Sequence, residues 1–269
     1  MLRRTKILAT LGPATDDPKV MDEVIHAGVD VVRANLSHGT HDEHRVRADT
    51  VRDRARASGR QVGLLADLQG PKIRIGKFGN DKIHLKEGDQ FTLDADCPLD
   101  AGDQKRVGLT FPELVGDVAR GDTLLLDDGA IILWVESVEG NSVNCKVVVG
   151  GPLSNNKGIN KQGGGLSAPA LTDKDKEDIK FAAEIEADYL AVSFVQDAQD
   201  VITARELLRA AGGQGGIVAK IERAEALDNI EAIIDASGVC VGLGCTSGLG
   251  DAARAAAAYA TCPTTVRKA

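Results

Sequence analysis

No Cys-x-x-Cys spacing occurs among the five cysteines, Cys97, Cys145, Cys240, Cys245 and Cys262, and their odd number leaves no complete disulfide framework. A zinc site is not indicated either, so the thiols are read as small buried hydrophobes. No apolar run approaches the roughly 18 residues a membrane-spanning helix needs. The opening Met1-Leu2-Arg3-Arg4-Thr5-Lys6 leads into a strand pattern with no signal-peptide core behind it, which gives the expectation of a cytoplasmic protein. A clustered basic patch is also lacking. With a net charge of −8 and a pI near 5.2, neither a nucleic-acid surface nor a polybasic membrane anchor is expected, which leaves a small molecule as the partner.

What is present is an alternation of strands and helices. Thr5 to Leu11 reads as a strand, followed by a helix capped by Asp16 or Asp17 with Pro18 at its first position. Val20, Met21, Val24 and Ile25 fall on one face of that helix, and Gly28 ends it. A strand over Val29 to Leu36, a polar helix from about His41 to Ser58 and a strand over Val62 to Leu68 come next. Between about Gly76 and Gly165 the helical period gives way to short β-rich runs broken by Asp127-Asp128-Gly129 and Glu139-Gly140-Asn141. That stretch reads as an inserted β domain, and the glycine-rich exit through Gly163-Gly164-Gly165 as a flexible hinge. Alternation resumes at Thr172, an N-cap, with strands over Asp188 to Phe194 and Gly216 to Glu222 and a possible sixth strand near Val239. Repeated units of this kind give a parallel sheet, and their number favours a barrel.

In such a barrel the chemistry sits where the strands end. Arg33, Asn35 and Ser37 are spaced to share one strand face, the third strand closes on Asp67 and runs into Gln69-Gly70-Pro71-Lys72-Ile73-Arg74, and Lys220 and Glu222 share a face on the fifth. Each cluster alone is as readily a solvated ion pair or a turn cap. Three strands converging on one rim with cations and carboxylates suit an anionic ligand together with a divalent cation.

These residues, in this order, closely resemble the pyruvate kinase family. The likeness runs from residue 1 to about 237 through Thr5-Lys6-Ile7 with Thr10-Leu11-Gly12-Pro13-Ala14, Val32 to Gly39, Asp67 to Arg74, Asn156-Lys157-Gly158-Ile159-Asn160 and Ile217 to Glu222. It implies an α/β fold, a (β/α)8 barrel with a small β lid, and transfer of phosphoryl from phosphoenolpyruvate to ADP to give pyruvate and ATP. By resemblance, Arg33 orients the phosphoryl group, Lys220 neutralises its developing charge, and Glu222 is a ligand of Mg²⁺. Asn35, His38, Arg74 and Lys157 match nucleotide-contacting positions. Asn35, Ser37 and Asp67 match a monovalent-cation site. There Leu68 and Lys72 stand where K⁺-dependent members have Thr and Glu, which implies that the Lys72 ammonium replaces K⁺. A homotetramer is expected of the full-length family member.

The sequence departs from the family after Ser237. The family's sixth strand ends in Ala-Arg-Gly-Asp, whose aspartate is a second Mg²⁺ ligand, whereas Gly238-Val239-Cys240-Val241-Gly242-Leu243-Gly244-Cys245 has no acid. The expected divisions are therefore barrel at 1–75, lid at 76–165, barrel again at 166–237, and a divergent tail at 238–269, the whole an incomplete barrel with no appreciable turnover. A Mg²⁺-dependent lyase or aldolase acting on pyruvate, and a non-catalytic nucleotide-binding remnant, are the alternatives.

Overall fold

The computed structural model describes residues 5–243. The chain opens with β1 (Leu8–Thr10), α1 (Pro18–His26), β2 (Val31–Asn35), α2 (His41–Ala57) and β3 (Gly63–Asp67). Of the two candidate caps, Asp17 starts α1: its carboxylate accepts the Lys19 N–H at 2.9 Å, with Pro18 preset for the first turn. Met21 and Ile25 then bury on one face. In α2, Thr40 and Glu43 satisfy each other's backbone N–H groups in a capping box.

The insertion follows as β4 (Lys82–Leu85), β5 (Gln90–Asp94), β6 (Arg106–Val107), the single turn α3 (Leu114–Asp117), β7 (Thr123–Leu126), β8 (Ile131–Glu139), β9 (Ser142–Val149), β10 (Gly151–Ser154) and β11 (Ile159–Lys161). Six of these strands form one mixed sheet in the order β11-β7-β8-β9-β5-β6, and β10 pairs with β4. The two sequence-marked turns fall where expected. Asp127 and Asp128 take left-handed backbone with Gly129 between β7 and β8, and Gly140 turns β8 into β9. Phe91, Leu124, Leu133 and Cys145 lie at the centre of a closed apolar core of its own.

The exit of the insertion, a flexible hinge by composition, is held at defined points. Gly163, Gly164 and Gly165 all have φ between +82° and +86°, and a Cβ on Gly164 would lie 2.7 Å from the Glu225 carboxylate. Glu225 accepts the Gly165 N–H, while Arg223 donates to the carbonyls of Leu166 and Ala168.

Alternation returns with α4 (Asp173–Glu184), β12 (Tyr189–Val192), α5 (Ala198–Ala210), β13 (Gly216–Ile221), α6 (Glu225–Asp228), α7 (Ile230–Ser237) and β14 (Gly238–Leu243). As expected, Thr172 caps α4, in a capping box with Asp175. The strands β1-β2-β3-β12-β13-β14 form one parallel sheet in that order. The sixth strand anticipated near Val239 is β14, and residues 244–269 of the expected tail lie outside the described residues. No pairing between β1 and β14 closes the sheet among the described residues. Its helix-covered face holds the main apolar core, while Leu65, Ala191 and Val218 form a small cluster on the other.

Candidate functional site

Parallel pairing brings the ends of neighbouring strands to one edge, and there the polar side chains meet. Asp67, the last residue of β3, is 2% exposed. Arg33 on β2 donates through Nε to Asp67 Oδ2 at 2.7 Å, and its Nη2 lies 2.6 Å from the same oxygen. The other oxygen, Oδ1, is 3.2 Å from Lys220 Nζ on β13, an ionic contact without hydrogen-bond alignment. Lys220 Nζ is also 3.3 Å from Glu222 Oε1, so Lys220 and Glu222 do share a side of the chain at the end of β13. Thr10 at the end of β1 accepts from Arg33 Nη1 at 3.2 Å.

The group therefore holds two cations and two carboxylates drawn from the ends of three strands. Its buried member is the carboxylate Asp67; Arg33 and Lys220 keep 28% and 23% of their side chains accessible. A buried charge is tolerable only when paired, and Asp67 meets that condition through both cations. Arg33 keeps N–H groups beyond those it spends on Asp67 and Thr10, which an anion of several oxygens can take, and the partly accessible Lys220 ammonium adds its charge beside them.

Sequence reasoning missed Ser193. Its hydroxyl, 2% exposed as a residue, donates to the Leu68 carbonyl at 2.7 Å and accepts from Lys220 Nζ at 2.8 Å. The next residue, Phe194, has φ +56° and donates its N–H to Glu222 Oε2 at 3.1 Å. This left-handed step ends β12 at Val192, short of the anticipated Phe194. The available signal was positional: Ser193 is the first polar residue after the apolar run Tyr189–Val192.

Ser37 does not share the strand face of Arg33 and Asn35. β2 stops at Asn35, whose Oδ1 accepts the Ser37 N–H at 3.2 Å while its carbonyl accepts the His38 N–H at 3.2 Å, so the chain turns before Ser37. The carbonyls of that turn face ammonium groups. Lys174 Nζ donates to Leu36 O at 2.8 Å, and Lys72 Nζ lies 3.5 Å from Ser37 O. Burial holds the Lys72 ammonium below its ordinary pKa, with the Arg74 and Lys174 charges adding to the effect. Leu68 is buried in the main core.

Arg74 and Lys157 sit at the junction of sheet and insertion, bridged through the Arg74–Gly158 backbone pair. Arg74 Nη1 donates to Asn156 O at 2.9 Å, and Lys157 Nζ pairs with Asp127 Oδ1 at 2.8 Å, so both have partners apart from the Asp67 group. The His38 carbonyl accepts from Nε2 of the buried His44 at 2.7 Å, which fixes the turn. No group of three or more His, Cys, Asp or Glu residues able to hold a metal occurs among the described residues. No helix among them is long and apolar enough to cross a membrane.

Comparison with known proteins gives the site its context. Residues 2–246 match the family described as pyruvate kinase, barrel domain. Pyruvate kinase II of Salmonella typhimurium is 55% identical over 234 residues, 87% of this chain and 49% of that protein. Pyruvate kinase of Haemophilus influenzae has the same identity and coverage. The Mycobacterium tuberculosis pyruvate kinase is 45% identical over 234 residues. The chain spans about half the length of the curated relatives it matches.

Proposed function

The chain belongs to the pyruvate kinase family, and we propose from that premise that its strand-end charges are the phosphoryl-handling part of a site that converts phosphoenolpyruvate and ADP to pyruvate and ATP. In this reaction the bond from the enol oxygen to phosphorus breaks as a terminal ADP oxygen bonds to phosphorus, and the enolate takes up a proton. The observation that carries the proposal is the bridging of Arg33 and Lys220 by buried Asp67, with Glu222 at 3.3 Å from Lys220. Phosphoryl transfer needs positioning and charge stabilisation more than covalent help from the protein. Arg33 orients the phosphoryl oxygens, and Lys220 meets the charge that builds as the group moves. Arg74, His38, Asn35 and Lys157 are proposed to contact the nucleotide, and the insertion to close over it as the lid of a (β/α)8 barrel.

Mg²⁺ fits this donor set in one respect. The ion is commonly held by one or two carboxylates with substrate oxygens completing its shell, and Glu222 is the carboxylate at hand. When bound it would neutralise phosphate charge. The sequence of β14 carries no second acid, so the chain by itself is expected to bind substrate without appreciable turnover. The Lys72 ammonium near the Ser37 carbonyl supports a monovalent-cation site served from within, and hence a protein with no need of K⁺.

Calorimetric titration of phosphoenolpyruvate in the presence of Mn²⁺ tests the proposal. Saturable binding, weakened at least tenfold in Glu222→Gln and equal in K⁺ and tetramethylammonium buffers, is the expected result. An absence of binding would overturn the assignment of the site. Robust Mg²⁺-dependent ATP formation by the chain would overturn the expectation of inactivity, and a strong K⁺ requirement would overturn the role of Lys72.

A further inference from the structure

A lysine that must meet a moving phosphoryl group has to be aimed, because its four-carbon stem is flexible and its ammonium attracts any carboxylate within reach. Lys220 lies between two carboxylates, Asp67 Oδ1 at 3.2 Å and Glu222 Oε1 at 3.3 Å, both longer than a well-formed charge-assisted hydrogen bond. The shortest polar contact of its ammonium is with a neutral atom, Ser193 Oγ, at 2.8 Å. That hydroxyl has no freedom to turn away, since it spends its own proton on the Leu68 carbonyl at 2.7 Å and therefore presents a lone pair to the lysine.

Ser193 is itself fixed by a costly backbone. Phe194 is held at φ +56°, in the left-handed region that a bulky residue rarely enters, and such outliers persist where the surroundings over-determine them. Gly70 lies against this turn: at φ +65°, it is so close that a Cβ would stand 2.8 Å from the Phe194 ring and 2.9 Å from Ser193 Cβ. The Gly70 N–H is tied to buried Asp175 at 3.0 Å. The strained turn thus delivers a hydroxyl to Lys220 and a backbone N–H to Glu222 from two successive residues.

We propose that Ser193 is a positioning residue that holds the Lys220 ammonium between Asp67 and Glu222, facing the place the phosphoryl group is to occupy. This rests on the proposed phosphoryl-handling role of Lys220, and the test separates the two claims.

The experiment is competitive acetylation of the chain with trace acetic anhydride, read by mass spectrometry as the rate at Lys220 relative to the exposed Lys180, with the unfolding midpoint measured on each variant. Losing one hydrogen bond to the ammonium in Ser193→Ala is expected to raise the relative rate at Lys220 about fivefold. Ser193→Thr, which keeps the hydroxyl, is expected to restore it. Ser193→Cys fills nearly the same space with a much weaker acceptor and reads the same rise if the alanine variant does not fold. A merely structural role would shift the unfolding midpoint and leave the relative rate unchanged, and that result would overturn the proposal. Separately, phosphoenolpyruvate with Mn²⁺ should protect Lys220 in the parent chain. Absence of protection would defeat the phosphoryl-handling role while the variant rates still decide whether Ser193 positions the lysine.

Discussion

In the β-insertion, Phe91, Leu93, Leu124, Leu133 and Val135 bury together from several paired strands, in a core to which only the flanking Ile73, Ile75 and Leu166 add from outside residues 76–165. In the parallel sheet, the apolar side chains go mainly to the helix-covered face, and the other face offers only Leu65, Ala191 and Val218 as a buried cluster. Charges are placed differently in the two regions: in the insertion they occur as separate pairs, such as buried Asp94 with the exposed Arg106 at 3.0 Å. At the sheet's edge Asp67, Arg33, Lys220 and Glu222 gather into one group of two cations and two carboxylates. The insertion is built for stability by ordinary burial. The sheet accepts a costly charge group at its edge, which is the pattern of a site.

The comparison breaks first if the insertion is not an independent core. Phe91→Ala removes a side chain that is 1% exposed and should cost about 4 kcal/mol. Hydrogen exchange should show faster opening across β5, β8 and β9 while amides of β2, β3 and β12 keep their protection. Equal loss in both regions would make them one cooperative unit.

At the sheet's edge, Asp67→Asn keeps the volume but leaves Arg33 and Lys220 facing each other without the buried carboxylate. A loss of about 3 kcal/mol is expected by urea unfolding, since removing one partner of a buried ion group strands the others. A change under ~1 kcal/mol would mean that solvent already screens the cluster.

Thr172→Ala should cost about 1 kcal/mol, because it opens the capping box that Thr172 shares with Asp175. Asp175 also accepts the Gly70 N–H, so the same variant should loosen the 69–72 segment more than any strand of the insertion. Exchange at the Gly70 amide checks this.

Near neutral pH the smallest effect is a pH dependence confined to the insertion, which shows only in alkali. Burial pushes the Cys145 thiol from 9.0 up to about 12, with the Glu136 charge adding to it. The folded state therefore holds the proton longer than the unfolded chain does, so this contribution is fully present below about pH 9 and fades as pH rises towards 12. Iodoacetamide at pH 8 should leave Cys145 unmodified in the folded chain and label it in urea. Labelling without denaturant would contradict the closed core.

Much of this organisation was legible from local chemistry. Pro18 behind Asp17, Thr172 ahead of an acidic turn, and Asp127-Asp128-Gly129 between β-rich runs each state a backbone geometry that needs no distant partner. Arg33, Asp67, Lys220 and Glu222 were legible because parallel strands of regular period bring their last residues to one edge. Ser37 was misplaced because strand spacing cannot foresee that the Asn35 side chain would capture its N–H and turn the chain. Ser193 was invisible for a related reason. Its contacts with Leu68 and Lys220 arise only once Phe194 is forced into left-handed backbone, and no periodicity announces that. The single turn α3 within the insertion is too short to leave a helical period.

Hydrogen exchange followed by mass spectrometry, with and without phosphoenolpyruvate and Mn²⁺, tests most directly whether the sheet's edge rather than the insertion's core is the site. Protection is predicted at residues 33–38, 67–74, 193–194 and 220–222, with β5, β8 and β9 unchanged. Protection confined to the insertion, or none at all, would contradict the account.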